Sequence, residues 1–198
     1  IQPKQIDLST LNIESLKARL ESGSHKRASA EQLRHILESR IEKMVELNKS
    51  RINYQVQLER MIEEYNKAVD IETLINQLLA LTEDLEKEDA RAVAEGLTDE
   101  ELAIFDLLTR SESNLTQEES QRIKKVTQAL LQRLKDKLVI DWRKRQQSRA
   151  AVKLSIGECI DHLPQRYVTE YEAACQAIYQ HVYDSYFGEG SSIYASAG

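Results

Sequence analysis

The chain has 198 residues, a formal net charge of −6 and 30% charged residues, with only 6 Gly and 2 Pro. That length can bury one ordinary core, or a small core plus an extended arm, without disulfide or metal staples. The scarcity of Gly and Pro, beside heavy use of Leu, Glu, Ala, Gln, Lys and Arg, argues against a turn-rich β architecture and for an all-α fold.

In chain order, Leu11 to Glu21 reads as a short helix with Ile13, Leu16 and Leu20 on one face and Gly23 as its left-handed stop. A polar linker follows from Ser22 to Ala28. Ser29 with Gln32 reads as an N-cap and capping box opening a helix that the apolar row predicts to run to Val69, roughly 60 Å. That row is Leu33, Leu37, Ile41, Met44, Ile52, Leu58, Ile62, Tyr65 and Val69, interrupted by polar Asn48 and Gln55. Asp70 is placed to cap the next helix, whose stripe of Ile71, Leu74, Ile75, Leu78, Thr82 and Leu85 predicts an antiparallel hairpin.

Gly96 ends that helix, and Thr98 with Glu101 forms a capping box for a helix burying Leu102, Phe105 and Leu108. Thr116 with Glu119 opens another, carrying Ile123, Val126, Leu130, Leu134 and Leu138 and expected to stop near Val139 and Ile140. Asp141 is placed to cap a helix from Trp142 to Ile160, before the Pro164 loop. Thr169 with Glu172 opens the last helix, to Phe187, and the small-residue stretch Gly188 to Gly198 is expected to be a mobile tail. The fold expected is therefore all-α: a long helix and antiparallel helical hairpin over residues 1–95, a compact helical C-terminal domain over 96–187, and a flexible tail over 188–198.

No Gly-x-x-x-x-Gly-Lys-Ser/Thr, Gly-x-Gly-x-x-Gly or Gly-x-Ser-x-Gly motif occurs, and six glycines leave little for a phosphate-cradling loop. Cys159 and His162 stand at a metal-like spacing that Cys175 and His181 could complete as a zinc site, yet helix-borne Cys and His at these spacings fit core burial equally. The run Glu83, Asp84, Glu86, Glu88 and Asp89 reads as a solvated helix face rather than as catalytic acids and bases, and no carboxylate pair is singled out for proton transfer. No stretch of about 18 uninterrupted apolar residues exists, and Ile1 to Thr10 lacks the pattern of a signal peptide, so the expected compartment is the cytoplasm, with no membrane partner. In that compartment the two cysteines read as reduced, small buried hydrophobes.

Charge is unevenly spread. From Arg133 to Lys153 eight cations stand against two anions, a net +6, so the remaining residues carry −12. Within this stretch the only Trp, Trp142, precedes Arg143, Lys144, Arg145, Arg149 and Lys153. Arg145, Arg149 and Lys153 recur every four residues along one side of a helix, where they can meet phosphates or a partner's carboxylates. Val152 and Ile156 lie among them on the helical wheel, so part of that side faces the core and Arg145 or Arg149 could serve as an internal partner. Trp142 reads as a core anchor in preference to a stacking platform. The last helix carries Tyr171, Tyr179, His181, Tyr183 and Tyr186, with Phe187 following. That is more aromatic surface than one short helix usually buries, and it makes Tyr179, His181, Tyr183 and Tyr186 a candidate partner surface.

Three stretches, Gly96-Leu-Thr-Asp-Glu-Glu-Leu-Ala-Ile-Phe-Asp-Leu-Leu108, Val139-Ile-Asp-Trp-Arg-Lys-Arg-Gln-Gln-Ser-Arg-Ala-Ala-Val152 and Tyr179-Gln-His-Val-Tyr-Asp-Ser-Tyr186, resemble the C-terminal helical region of type I restriction enzyme R subunits. With Lys43-Met-Val-Glu-Leu-Asn-Lys-Ser-Arg-Ile-Asn-Tyr54 before them, the resemblance covers nearly the whole chain. It implies a large parent with a nuclease domain and two ATP-driven motor lobes, hence ATP and Mg there, followed by helical regions associated with docking on the methyltransferase core and with the DNA path. It implies as partners the methyltransferase and specificity subunits and duplex DNA. No position here matches a catalytic motif of that parent, so the chain is expected to be a non-catalytic piece without a cofactor of its own, and Ile1 is an unusual first residue for a complete natural protein. The alternative is a structural helical scaffold whose charges are solvated and touch no nucleic acid.

Overall fold

The computed structural model describes residues 8–21, 26–67, 70–110, 115–163 and 171–196, and these form eight α-helices and one short strand pair. The all-α expectation holds. Two compact units divide the chain: Ile1–Glu46 with Arg51–Arg91, and Leu47–Ser50 with Ala92–Gly198.

The first unit contains α1 (Leu8–Glu21), α2 (Lys26–Leu47, whose last residue belongs to the second unit), α3 (Ile52–Asn66) and most of α4 (Ile71–Glu95). Its core is aliphatic: Ile13, Leu16 and Leu20 from α1, Leu33, Leu37, Ile41 and Met44 from α2, Leu58 and Met61 from α3, and Leu74, Ile75, Leu78, Leu81 and Leu85 from α4. Each set recurs at steps of three and four, one stripe per helix. Ion pairs fix the directions. Lys26 pairs with Glu72 and, farther along both helices, Arg40 with Asp89, so α2 and α4 run the same way. Arg51 Nε lies 3.0 Å from Glu88, while Gln77 reaches Glu64, so α3 runs against α4 as a hairpin.

The single helix expected from Ser29 to Val69 is therefore two helices that reverse direction across a 3-10 turn at Lys49–Arg51. Asn48 is the reason. Its Oδ1 accepts from the Ser50 backbone N–H at 3.1 Å, replacing a helical bond by a local side-chain turn, and its Nδ2 donates to Asp106 Oδ2 at 2.7 Å. After this reversal the inward positions change, leaving Arg51 buried and Ile52 exposed, the opposite of the expected row. Ser29 is not an N-cap either: the helix starts at Lys26, and Ser29 lies four residues before Leu33 on the same buried face. Asp70 does cap α4, its Oδ1 accepting from the backbone N–H groups of Glu72 and Thr73, both at 2.9 Å. One member of the acidic run departs from the solvated face: Glu88 is buried between Arg51 and Arg91. Gly23, Val69, Pro164 and Thr169, to which the sequence assigned stops, a loop and a cap, lie outside the described residues.

The second unit takes the last turn of α4, then α5 (Asp99–Thr109), α6 (Gln117–Lys135), α7 (Gln146–Ile160) and α8 (Tyr171–Ser185). Gly96, at φ +67, supplies the left-handed residue that lets Leu97 N–H donate back to Ala92 O at 2.9 Å and close α4. Of the expected capping boxes, Thr98 with Glu101 and Thr116 with Glu119 are present. α5 packs on α6 and α8, and α7 on α6 and α8, so the four helices close around one core.

α6 ends at Lys135 and α7 begins only at Gln146, leaving a run of turns where one helix end and one helix start were expected. Asp141 does not cap a helix at Trp142. It sits at φ +57, a conformation that Asp tolerates better than most side chains, and this turn drops Trp142 into the core. The last helix, expected to reach Phe187, ends at Ser185; Tyr186–Gly188 (β1) pairs antiparallel with Ser191–Ser192 (β2), and a 3-10 turn follows over Ile193–Ser196, where a small-residue tail is expected from Gly188 on.

Candidate functional site

Trp142 is fully buried, among Leu134, Leu138, Val152, Ile156, Ile178, Val182 and Tyr186 of the same core. Its indole Nε1 donates to the carbonyl of Tyr186 at 3.1 Å, and its ring meets Tyr183 edge-on with centroids 5.8 Å apart. The anchor reading of Trp142 holds, because a ring enclosed in this way has no face left for a base or a partner.

Arg143 is drawn to the same point. Its Nε donates to Tyr186 O at 3.0 Å, and its guanidinium carbon lies 5.0 Å from the Tyr183 ring centroid and 4.7 Å from that of Phe187. Its Nη2 is buried and has no hydrogen-bond partner among the described residues. Arg149 turns back so that Nη1 donates to the Arg143 carbonyl at 2.6 Å, fastening the first turn of α7. Lys153 sets its ammonium 4.6 Å from the Tyr179 centroid, and Tyr179 stands 6.2 Å from Tyr183. Two groups singled out separately in the sequence, the basic segment and the aromatic helix, thus form one interlocked layer of alternating cations and rings.

The eight cations from Arg133 to Lys153 do not make a single face. Arg133 lies 3.7 Å from Glu158, Lys135 2.7 Å from Glu100 and Lys144 3.0 Å from Asp141. The exposed members of the candidate set are Lys144, Arg145 and Lys153, with Phe187 exposed beside them. Phe187, which follows the tyrosine series and adds to its aromatic surface, is the most exposed ring of that set.

Tyr186 is buried, and burial first, then the charge of Glu100, pushes its phenol pKa up, so it stays protonated. His181 is also buried rather than presented to a partner. Tyr194 donates its one hydroxyl hydrogen to Leu47 O at 2.6 Å, so at 3.0 Å its oxygen accepts from His181 Nε2–H. Burial lowers the His181 pKa to about 4, outweighing the attraction of Asp184, and the ring is neutral at pH 7. This Tyr194 contact has no signature in the local sequence pattern.

The possible zinc ligands are placed in separate roles. Cys159 is buried near Arg133, with burial raising its pKa; Cys175 lies against Tyr171; His162 Nδ1 sits 2.7 Å from Glu158 O. Among the described residues no three His, Cys, Asp or Glu side chains gather as a metal site, and no helix is long and apolar enough to cross a membrane.

Over residues 1–183 the chain matches the model of the family described as type I restriction enzyme HindI endonuclease subunit-like, C-terminal, and it belongs to that family. The resemblance carried by the sequence stretches is thereby borne out. No curated protein and no solved structure matches it.

Proposed function

We propose that this domain contributes no catalytic group or cofactor of its own and serves the restriction complex as a contact module. Its layer of cations and aromatic rings meets duplex DNA or the methyltransferase core, and the chemistry stays with the nuclease and motor domains of the parent subunit, where ATP and Mg act. A cytoplasmic location follows from the same reading. The observation that carries it is the exposure of Lys144, Arg145 and Lys153 around the buried Trp142 anchor on a chain of net charge −6. The Lys153 ammonium, held over the Tyr179 ring, has less side-chain freedom left to lose on binding, and the positive charge of all three opposes the sign of the rest of the chain. Arg143 and Arg149, engaged with backbone carbonyls, position this surface; they are not its contacts.

The test uses the intact motor subunit with Lys144→Gln and Lys153→Gln. If these side chains touch phosphates, the slope of log binding constant against log salt on non-specific duplex falls by about one unit for each lost contact, with sequence preference unchanged. If the slope is unchanged and the association constant with the methyltransferase core drops, the surface is a protein dock. If neither moves in a folded variant, the charges are solvated and the proposal fails. Separately, ATP turnover by the isolated chain that is abolished by a substitution within it overturns the non-catalytic assignment.

A further inference from the structure

A second surface lies on α6, in a trough between it and the end of α7. The trough, of about 220 Å3, is lined by Val126, Ala129 and Cys159 on its floor and by Arg122, Lys125, Arg133 and His162 at its edge. Positions 122, 126, 129 and 133 are spaced by four, three and four residues, so they run along one face of the helix for three turns, roughly 16 Å. The floor is the apolar part of that face. Arg122, Lys125 and Arg133 are exposed at the rim; Arg122 Nη2 donates to the His162 carbonyl at 3.2 Å, which steadies it, and Arg133 stands 3.7 Å from Glu158, the acid beside the trough.

We propose that this trough receives an amphipathic helix of a protein partner, with its apolar stripe on Val126, Ala129 and Cys159 and its flanking carboxylates on Arg122, Lys125 and Arg133. An apolar floor contributes nothing to a phosphate backbone, which is held by donors throughout, whereas a helix in a groove uses apolar anchors inside and charges outside. The sign of the rim selects the partner: three cations on a chain of net charge −6 attract acidic flanks and repel basic ones. The floor, from Val126 to Ala129 with Cys159 beside them, accepts apolar anchors at i and i+4, and the cations at 122, 125 and 133 meet acidic residues a turn to either side.

The test is fluorescence anisotropy with the 198-residue chain and three labelled probes. One is a synthetic helical peptide with Leu at that spacing and Glu on its flanks, the second the same peptide with Lys for Glu, and the third a non-specific DNA duplex. The acidic peptide is expected to bind at least tenfold tighter than the basic one. Lys125→Glu and Ala129→Glu, both at exposed helical positions, should each weaken it at least fivefold without changing thermal unfolding, and Lys125→Glu should improve binding of the basic peptide. Equal affinity for both peptides, or affinity for the acidic one that ignores both variants, overturns the proposal. So does loss of duplex binding in the variants with peptide binding intact, which makes the trough a nucleic-acid contact. Self-association of the chain that disappears in Lys125→Glu replaces the foreign helix by a second copy. None of these outcomes alters the result expected from Lys144 and Lys153.

Discussion

The buried core of the first unit is Leu, Ile, Met and Ala spread over four helices, with Tyr54 and Tyr65 only at its margin, whereas the second gathers its helices around one Trp and the rings packed near it. In the first, every helix contributes several interchangeable aliphatic side chains, and ion pairs along the flanks set which helix runs beside which. In the second, Trp142 combines the largest fully buried side chain with a hydrogen bond to the backbone of Tyr186, and Arg143 bonds to the same carbonyl. A distributed core degrades in small steps. A core with a hub loses both packing and the geometry of the exposed surface when the hub is removed.

The largest effect expected is therefore that of Trp142→Ala, a loss of about 3–5 kcal/mol in chemical denaturation, accompanied by loss of the ordered Lys153 and Phe187 surface. Leu78→Ala in the first unit should cost about 3 kcal/mol and leave that surface untouched, as read by amide exchange across α7 and α8. Equal loss of α7 and α8 protection in both variants would end the distinction. Asn48→Ala comes next: removing the donor to buried Asp106 while Ser50 stays near it should cost about 1–3 kcal/mol. If stability instead rises, the helix prefers to run straight through and the polar turn is not what bends it.

The pH dependence probes the second unit alone. The folded-state pKa of His181, about 4, lies below the ordinary 6.5, so between these values the unfolded chain binds more protons than the folded one. The contribution is fully present above pH 6.5 and falls as the pH drops to 4, at up to about 1.4 kcal/mol per pH unit. In His181→Gln that part of the slope should vanish from denaturation curves measured across the window. The smallest effect belongs to Asp141→Gly, expected to stay within about 1 kcal/mol of the parent, because Gly accepts the left-handed turn and only the exposed Lys144 pair is lost. Asp141→Val should be clearly worse, since a β-branched residue resists that conformation.

Periodicity made the inward rows of α1, α2 and most of α4 readable. The α4 stripe of Leu74, Ile75, Leu78, Thr82 and Leu85, and the caps at Asp70, Thr98 and Thr116, are all where the sequence puts them. It misled at Asn48, because a polar residue on an apolar row carries no local sign that its partner is Asp106, 58 positions away. The same limit applies around the candidate site. Its members, Arg143, Tyr183 and Tyr186, were individually visible as a basic run and an aromatic run, but their interlocking depends on Asp141 adopting a left-handed turn that nothing in Val139-Ile-Asp-Trp requires. Of the cations spaced by four, Arg149 closes on the Arg143 carbonyl, six residues back and ahead of α7, as the internal partner its apolar neighbours allow.

The Tyr194 contact has a further consequence for how the chain is made. Leu47 O and the Asn48 side chain find their partners at Tyr194 and Asp106, so a short stretch near the start of the second unit is left with unmet polar groups until ribosomal synthesis has released residues far downstream. Contacts of such separation are slow to close. During translation the aliphatic stripes of α1 to α4 can already collapse while the 47–50 turn, closed locally by Asn48 and Ser50, still lacks its distant partners, and a nascent chain truncated before Tyr194 would retain the Leu47 carbonyl without its phenol donor. Arrest at successive lengths, read by protease sensitivity at the turn, should show protection appearing in two steps, first as residue 106 and later as residue 194 leaves the exit tunnel.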